Sequence, residues 1–375
     1  MMKNEIKEYF LKLKGKMNCI SQEELREVYK HIDYLAEKAG LTREKILSGQ
    51  CGDVDEEILM ESKANIDSVL FNNDKSDYRE PPVYLGRDLM LCQMRWGGWV
   101  VCPTWNVDVA VGLIRDGINE EALTRFVMQN VSKGDTFVNV GANFGYYTVL
   151  AAKLIEAQGK IYSFEANPIV FSVLLKTMYY AGFVDRINLY NRAVSNKDGE
   201  DLYMDFDYQF IGAGSIMYCK EVCDSNNEFW NKDNLKYILD ENGKYCEKYS
   251  IYNKIHTKTV SLDTVLSDET VDWILCDAEC AEPLIMLGAK KLISNSSNVK
   301  IVFEWGSRNY SGFGGLGEDY RASVRDMWNF LVQEGFKVRY IMPTLVNGET
   351  QLSNPLSFDE FAYNATHGDY LASRE

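Results

Sequence analysis

The chain has 375 residues and a net charge of −15, with 46% hydrophobic and 25% charged residues. This length and apolar content suit one large domain or two, and the acidic balance argues against a broad nucleic-acid surface or an anionic-membrane partner. Residues 1–16 alternate lysine, glutamate and apolar residues and lack the apolar core of a secretion signal. No run approaches the roughly twenty apolar residues of a membrane span, so a cytoplasmic protein is expected. Nine cysteines at irregular spacings, with no C-x-x-C pair and three histidines in all, argue against a zinc centre and for reduced, mostly buried thiols.

Residues 1–70 read as helices. Ile6, Tyr9, Phe10 and Leu13 share one helical face. Ser21 and Glu24 form a capping box ahead of Leu25, Val28, Tyr29, Ile32 and Leu35, and Gly40 ends that helix. Two more helices are expected over 42–47 and 56–71. Such apolar stripes either pack on the main domain, contact a protein partner or a second copy, or cover the substrate. The polar stretch 72–82 ends in Pro81-Pro82 and reads as a linker. Residues 1–80 are therefore taken as a helical N-terminal region with its linker, and 81–375 as the main domain. Strands are expected at 88–92 and 99–102 around a Gly97-Gly98 turn, then a helix over 120–130.

Thr136 to Val140 is a short β-rich run that breaks at Gly141, and the residues after Gly145 read as a helix. Strand, glycine turn and helix open a nucleotide-binding α/β domain. Without a Cβ, Gly141 and Gly145 let the backbone turn sharply and let a cofactor lie against it, while the helix offers unpaired N–H groups. The same glycines would also serve a turn that binds nothing. Downstream, strands expected at 160–165, 187–190, 273–276, 300–303 and 337–341 alternate with helices at 168–181, 283–293 and 319–334. That alternation implies a mostly parallel sheet covered on both faces. A last apolar run covers 358–363. Residues 196–258 are polar and strand-poor, which suggests a hairpin with a long insertion at about 207–255.

Ligands of such sheets bind beyond the carboxyl ends of the strands. Gly141, Ala142 and Asn143 follow the first strand. Glu165 ends the second, about twenty residues beyond the turn, where an acid can accept from two ribose hydroxyls. The small residues Ala193, Val194 and Ser195 follow the third and leave room for a flat ring. Asp277 and Glu279 follow the fourth, and Glu304 ends the fifth. These three carboxylates meet at one sheet edge without matching cations in the local sequence, so repulsion would raise at least one pKa and suit a general base. They would equally hold a divalent metal, bind substrate hydroxyls or cap helices. His256 is a weaker candidate base, and the glycine-dense run 310–317 a candidate lid.

Together these stretches resemble the FkbM-type methyltransferases, which use S-adenosylmethionine. Residues 139–148 resemble the first family motif, Phe164-Glu165-Ala166-Asn167-Pro168 the second and Arg192-Ala193-Val194-Ser195 the third. Ser261-Leu262-Asp263 followed by Asp277-Ala278-Glu279-Cys280-Ala281-Glu282 resembles the signature S-L-D … D-x-E-G-A-E, and Val302-Phe303-Glu304 matches the strand after it. The resemblance implies a Rossmann-like class I methyltransferase fold with a seven-stranded, mostly parallel sheet. It also implies methyl transfer, commonly to a hydroxyl of a sugar, glycan or secondary metabolite. On this reading Asn139, Gly141, Ala142, Asn143, Gly145, Glu165, Ala166, Ala193, Val194 and Asp277 contact the cofactor. Asp277, Glu279 and Glu304 are the catalytic candidates, with no metal assigned. Asn139 stands where the family has an acid, and Cys280 where it has a glycine. These departures motivate an alternative, a catalytically degenerate scaffold whose N-terminal helices bind a partner. A nicotinamide dehydrogenase fits less well, because Gly141 to Gly145 is not G-x-G-x-x-G.

Overall fold

Alternate residues of the strand Thr136–Val140 face two different cores, and that alternation organises the domain. The computed structural model describes residues 79–184, 186–207, 252–310, 317–346 and 348–374, with 22–48 and short pieces of 9–14 and 58–66 in the N-terminal region. The Ser21–Glu24 capping box, most of the linker, most of the insertion and most of the glycine-dense run lie outside the described residues.

In the N-terminal region, α1 (Gln22–Ala39) and α2 (Arg43–Leu47) enclose a small core of their own. Val28, Ile32 and Leu35 recur at helical spacing and are fully buried there with Phe10, Ile46 and Ile66. Strands β1 (Val83–Gly86), β2 (Leu89–Gln93) and β3 (Trp99–Pro103) then form an antiparallel sheet. The expected hairpin at Gly97-Gly98 joins β2 to β3, with Met94 N–H donating to Gly98 O at 2.7 Å. Strand β1 had no signal of its own. Helices α3 (Ala110–Asp116) and α4 (Glu121–Asn130) lead into the main sheet.

That sheet is built from β4 (Thr136–Val140), β5 (Lys160–Phe164), β6 (Ile187–Tyr190), β10 (Trp273–Cys276), β11 (Lys300–Trp305), β12 (Phe336–Val346), β13 (Glu349–Leu352) and β14 (Gly368–Arg374). Its order is β13-β12-β14-β11-β10-β4-β5-β6. The five strands from β6 to β11 run parallel, and β14 inserts antiparallel between β11 and β12. The first seven from the β6 edge are the expected class I methyltransferase sheet. The expected count of seven is corrected to eight, because β12 runs past a bulge at Met342–Leu345 and pairs with β13.

Phe137, Leu275 and Val302 face a core shared with the β1–β3 sheet, α4, α5 (Tyr146–Ile155) and α6 (Pro168–Ala181). Val138, Ile274, Ile301 and Phe303 face the opposite core with α7 (Leu262–Val265), α8 (Glu282–Leu287), α9 (Lys290–Asn295), α10 (Ser307–Tyr310) and α11 (Glu318–Gln333). The expected two-faced cover is present. In chain order between β6 and β10 come the short strand β7 (Ala193–Val194) and the antiparallel pair β8 (Asp201–Asp207) and β9 (Tyr252–Val260), which form a separate three-stranded sheet at the base of the expected insertion.

One further expectation is corrected. The helix expected over 283–293 is two helices. Asp263 explains the break: its carboxylate accepts from Lys291 N and Leu292 N at 3.1 and 2.8 Å and starts α9 anew. The apolar run 358–363 is helical, ending in the turn Glu360–Asn364, with Phe361 buried against Trp305 at a ring separation of 4.5 Å. The last strand lies beyond it, at Gly368–Arg374. No helix among the described residues is long and apolar enough to cross a membrane.

Candidate active site

The carboxyl ends of β4, β5, β7, β10 and β11 open on one cavity of about 410 Å³. Gly141, Ala142, Asn143, Glu165, Ala166, Ala193, Val194, Asp277, Glu279 and Glu304 all line it. Two sequence candidates do not. Asn139 is 1% exposed inside the domain, where its side-chain amide donates to Thr148 Oγ1 at 2.9 Å. Gly145 lies behind the wall, and a Cβ there would come within 2.7 Å of Leu174 and 2.8 Å of Met178. It lets α5 pack on α6.

Gly141 answers a closer approach. A Cβ on it would lie 1.7 Å from the carbonyl oxygen of Asp277, across the β4–β10 pair, and its φ of 80° is left-handed. Asn143 follows at φ 50°. Its N–H donates to Glu165 Oε2 at 2.9 Å, and Asn167 N donates to Glu165 Oε1 at 2.8 Å. Glu165 therefore ties the glycine turn to the start of α6, and each oxygen keeps a second lone pair. Burial pushes its carboxyl up to about 7, against the pull of those N–H groups. The side-chain carbonyl of Asn143 is buried with no protein partner, so the wall holds an acceptor ready for a ligand's donor.

The other half of the cavity is acidic. Carboxylate oxygens of Asp277, Glu279 and Glu304 come within 4.8 Å of one another. At Asp277, desolvation, with Glu304 and Glu120 next, raises the pKa well above the usual range. Glu279 is pushed up to about 8, by burial first and then by Glu304 and Glu282. Glu282 also reaches about 8 through burial, while its Oε1 accepts from Ala278 N at 3.0 Å. Glu279 and Cys280 have φ of 43° and 72°. The second value is the backbone state that a glycine would occupy without strain. The Cys280 side chain is 3% exposed and packs away from the cavity in the second core.

Sequence reasoning missed Glu120, Tyr147 and Asp108, which also line the cavity. Glu120 caps α4 at φ 40°, and its Oε2 accepts the Tyr147 hydroxyl at 2.7 Å. Burial raises its pKa, with Glu304 adding to the rise. Asp369 was missed because its strand was; it lies opposite Glu304 in the β11–β14 register, and burial and Glu120 raise it strongly. His256 is an exposed partner of Asp201 at 2.7 Å, away from this wall.

Residues 139–338, more than half the chain, match the methyltransferase FkbM domain. The chain is also similar to solved structures. One is an O-methyltransferase from Bacillus cereus in complex with S-adenosylhomocysteine, at 14% identity and TM-score 0.35, covering 71% of this chain and 86% of that one. Another is the O-methyltransferase TomG from Streptomyces achromogenes in complex with S-adenosylmethionine, at 11% and 0.34, covering 68% and 79%. A third is Aeropyrum pernix fibrillarin with natively bound S-adenosylmethionine, at 11% and 0.30, covering 79% and 99%. No curated protein matches the chain. The match over 139–338 spans both halves of the cavity wall, from the glycine turn to Glu304: the chain belongs to the FkbM methyltransferase family, and its cofactor is S-adenosylmethionine.

Proposed function

We propose that the protein transfers the methyl group of S-adenosylmethionine to a hydroxyl oxygen of a small or glycan-like acceptor. The observation that carries this reading is the division of one cavity into a glycine-turn half and a carboxylate half. The cofactor, when bound, supplies an electrophilic methyl group on a cationic sulfur. Gly141, Ala142 and Asn143 would hold its amino-acid end, with the orphaned Asn143 carbonyl accepting from the ammonium. Glu165 would accept from the ribose hydroxyls with its remaining lone pairs, and Ala166, Ala193 and Val194 would leave room for the adenine.

Asp277 and Glu279 would orient the acceptor hydroxyl. Glu279, whose carboxyl burial and then its neighbours raise to about 8, would in its ionised form take the hydroxyl proton as the methyl group passes to the oxygen, the methyl–sulfur bond breaking and S-adenosylhomocysteine leaving as the neutral thioether. Glu304 would hold the acceptor against them. Most of the rate would come from in-line positioning, with base assistance on the order of 10²–10⁴-fold. Asn139 and Cys280, the departures from the family pattern, both sit behind the cavity wall, which favours catalysis over a degenerate scaffold.

The test combines calorimetric titration of S-adenosylhomocysteine with methyl incorporation from labelled S-adenosylmethionine into a panel of sugars, amino sugars and polyols. Asp277→Asn and Glu279→Gln are expected to keep cofactor-product affinity within about threefold and to lose on the order of 10²-fold or more in turnover. Full turnover in both variants would overturn the assignment of roles.

A further inference from the structure

Between the end of β10 and the start of α8 the backbone passes through two successive left-handed residues. Glu279 has φ 43° and Cys280 φ 72°, a conformation that residues with a Cβ keep only where their surroundings enforce it. The sheet holds this turn on one side. Asp277 N donates to Val140 O at 3.0 Å, and the Asp277 carbonyl lies where Gly141 leaves room for it. On the other side stands Glu282, the first residue of α8 and 1% exposed. Its Oε1 accepts from Ala278 N at 3.0 Å, and the N–H groups of Cys280 and of Glu282 itself also stabilise the carboxylate.

Helix capping accounts for only part of this arrangement. Glu282 N is one of the free N–H groups of α8, but the Ala278 N–H lies four residues back, in the turn. Packing does not account for it either. Pro283, Ile285 and Met286 on the same short helix are buried apolar residues, and Glu282 Oε2 has no hydrogen-bond partner. A carboxyl group costs more in such a place than an apolar side chain of the same shape. What it secures is the backbone of Ala278, the residue between Asp277 and Glu279.

We propose that Glu282 is a positioning residue: by holding the Ala278 N–H it fixes the turn from which Asp277 and Glu279 reach the acceptor hydroxyl. This rests on the methyltransferase reading above and adds a residue that works through those two, since Glu282 itself does not line the cavity. Glu304 comes from the neighbouring strand β11. The three carboxylates therefore meet within 4.8 Å only while the turn keeps its shape. A displacement of about 1 Å at reacting groups is enough to cost on the order of 10²-fold in rate.

Two variants separate reach from charge. Glu282→Gln keeps the length and a carbonyl oxygen for Ala278 N but removes the charge, whereas Glu282→Asp keeps the charge and shortens the reach by one methylene. Amide hydrogen exchange of the full chain, with and without S-adenosylhomocysteine, reads the turn directly. Its consequence is read as kcat and KM for methyl transfer from labelled S-adenosylmethionine to the same panel of sugars, amino sugars and polyols. Glu282→Gln is expected to keep Ala278 protection and kcat within about threefold of the parent. Glu282→Asp should lose about tenfold or more in both at an unchanged KM, while exchange in β4 and β10 stays parental. Glu282→Met, which keeps the volume and removes both oxygens, should behave like Glu282→Asp and replaces it if the shorter side chain prevents folding. Parental protection and kcat in these two variants overturn the proposal. So does an equal loss in Glu282→Gln, which would assign the effect to charge, and so does a loss of protection spread through β10, the mark of a packing role. Failure of S-adenosylhomocysteine to bind the parent would instead strike the methyltransferase reading, and exchange in the unliganded chain would still decide whether Glu282 holds the turn.

Discussion

At Glu279, burial and the charges of Glu304, Glu282, Asp108 and Glu120 raise the carboxyl from 4.5 to about 8. Between those two pH values the folded protein holds a proton that the unfolded chain has released. Proton binding then favours the folded state, so stability falls as pH rises through this window. Glu282, raised to about 8 by its own burial, contributes in the same direction. Each such group tilts stability by up to about 1.4 kcal/mol per pH unit inside the window, although the cluster titrates as a unit. The unfolding midpoint of the full chain should therefore drop between about pH 5 and pH 8, and Glu279→Gln should make that drop shallower. A slope unchanged by the substitution would place the titration elsewhere. Glu279 was legible in the sequence because it directly follows an apolar strand, as do Asp277 and the glycine turn. Glu120 was not, because it reaches the cavity from the cap of α4, and only packing decides where that cap points. Gly145 shows the converse. Its motif position suggested a cofactor contact, yet its missing Cβ makes room for Leu174 and Met178.

Among the elements, α6 shows how local and tertiary instructions divide the work. Asn167 accepts from Ile169 N at 2.9 Å and Pro168 opens the first turn, a start written plainly in the sequence. The bond that fastens α6 to the β1–β3 sheet is not written there. The Val101 N–H donates to Thr177 Oγ1 at 3.1 Å, with both residues fully buried. Thr177→Val keeps shape and removes the acceptor, leaving a buried N–H unpaired at a cost of about 1–3 kcal/mol. Chemical denaturation should show the midpoint falling with little change in slope. A midpoint equal to the parent's would mean that water or another group satisfies Val101. The parallel strands were readable because burial on both faces makes them continuous apolar runs. Strand β14 was not, since Asp369, Ser373 and Arg374 break its pattern. Arg374 stays favourable there by donating to Glu334 O, Ser296 O and Ile293 O at 2.8, 2.7 and 3.1 Å.

For the whole molecule, the question is whether the N-terminal helices belong to the catalytic fold. Their core of Phe10, Val28, Ile32, Leu35, Ile46 and Ile66 is separate from the two cores flanking the main sheet. An ion pair joins Lys63 to Glu349 on β13, the strand added at the sheet's far edge. A pair with one partner substantially exposed contributes little, about 0–1 kcal/mol. Arg79, by contrast, belongs structurally to the main domain. Its guanidinium donates to Gln93 O at 3.1 Å, to Leu113 O and Ile114 O at 3.3 Å, and to Arg115 O, closing the end of α3 against β2. We propose on these bonds that a fragment meant to fold alone should begin at Arg79. A fragment of residues 79–375 should unfold cooperatively and bind S-adenosylhomocysteine within about threefold of the full chain, because every wall residue of the cavity lies inside it. The same fragment carrying Arg79→Ala leaves four backbone carbonyls without this donor and should lose about 1–3 kcal/mol of stability. If the parent fragment fails to bind the cofactor product while the full chain binds it, the helices are part of the catalytic fold, and the division between the two regions is wrong.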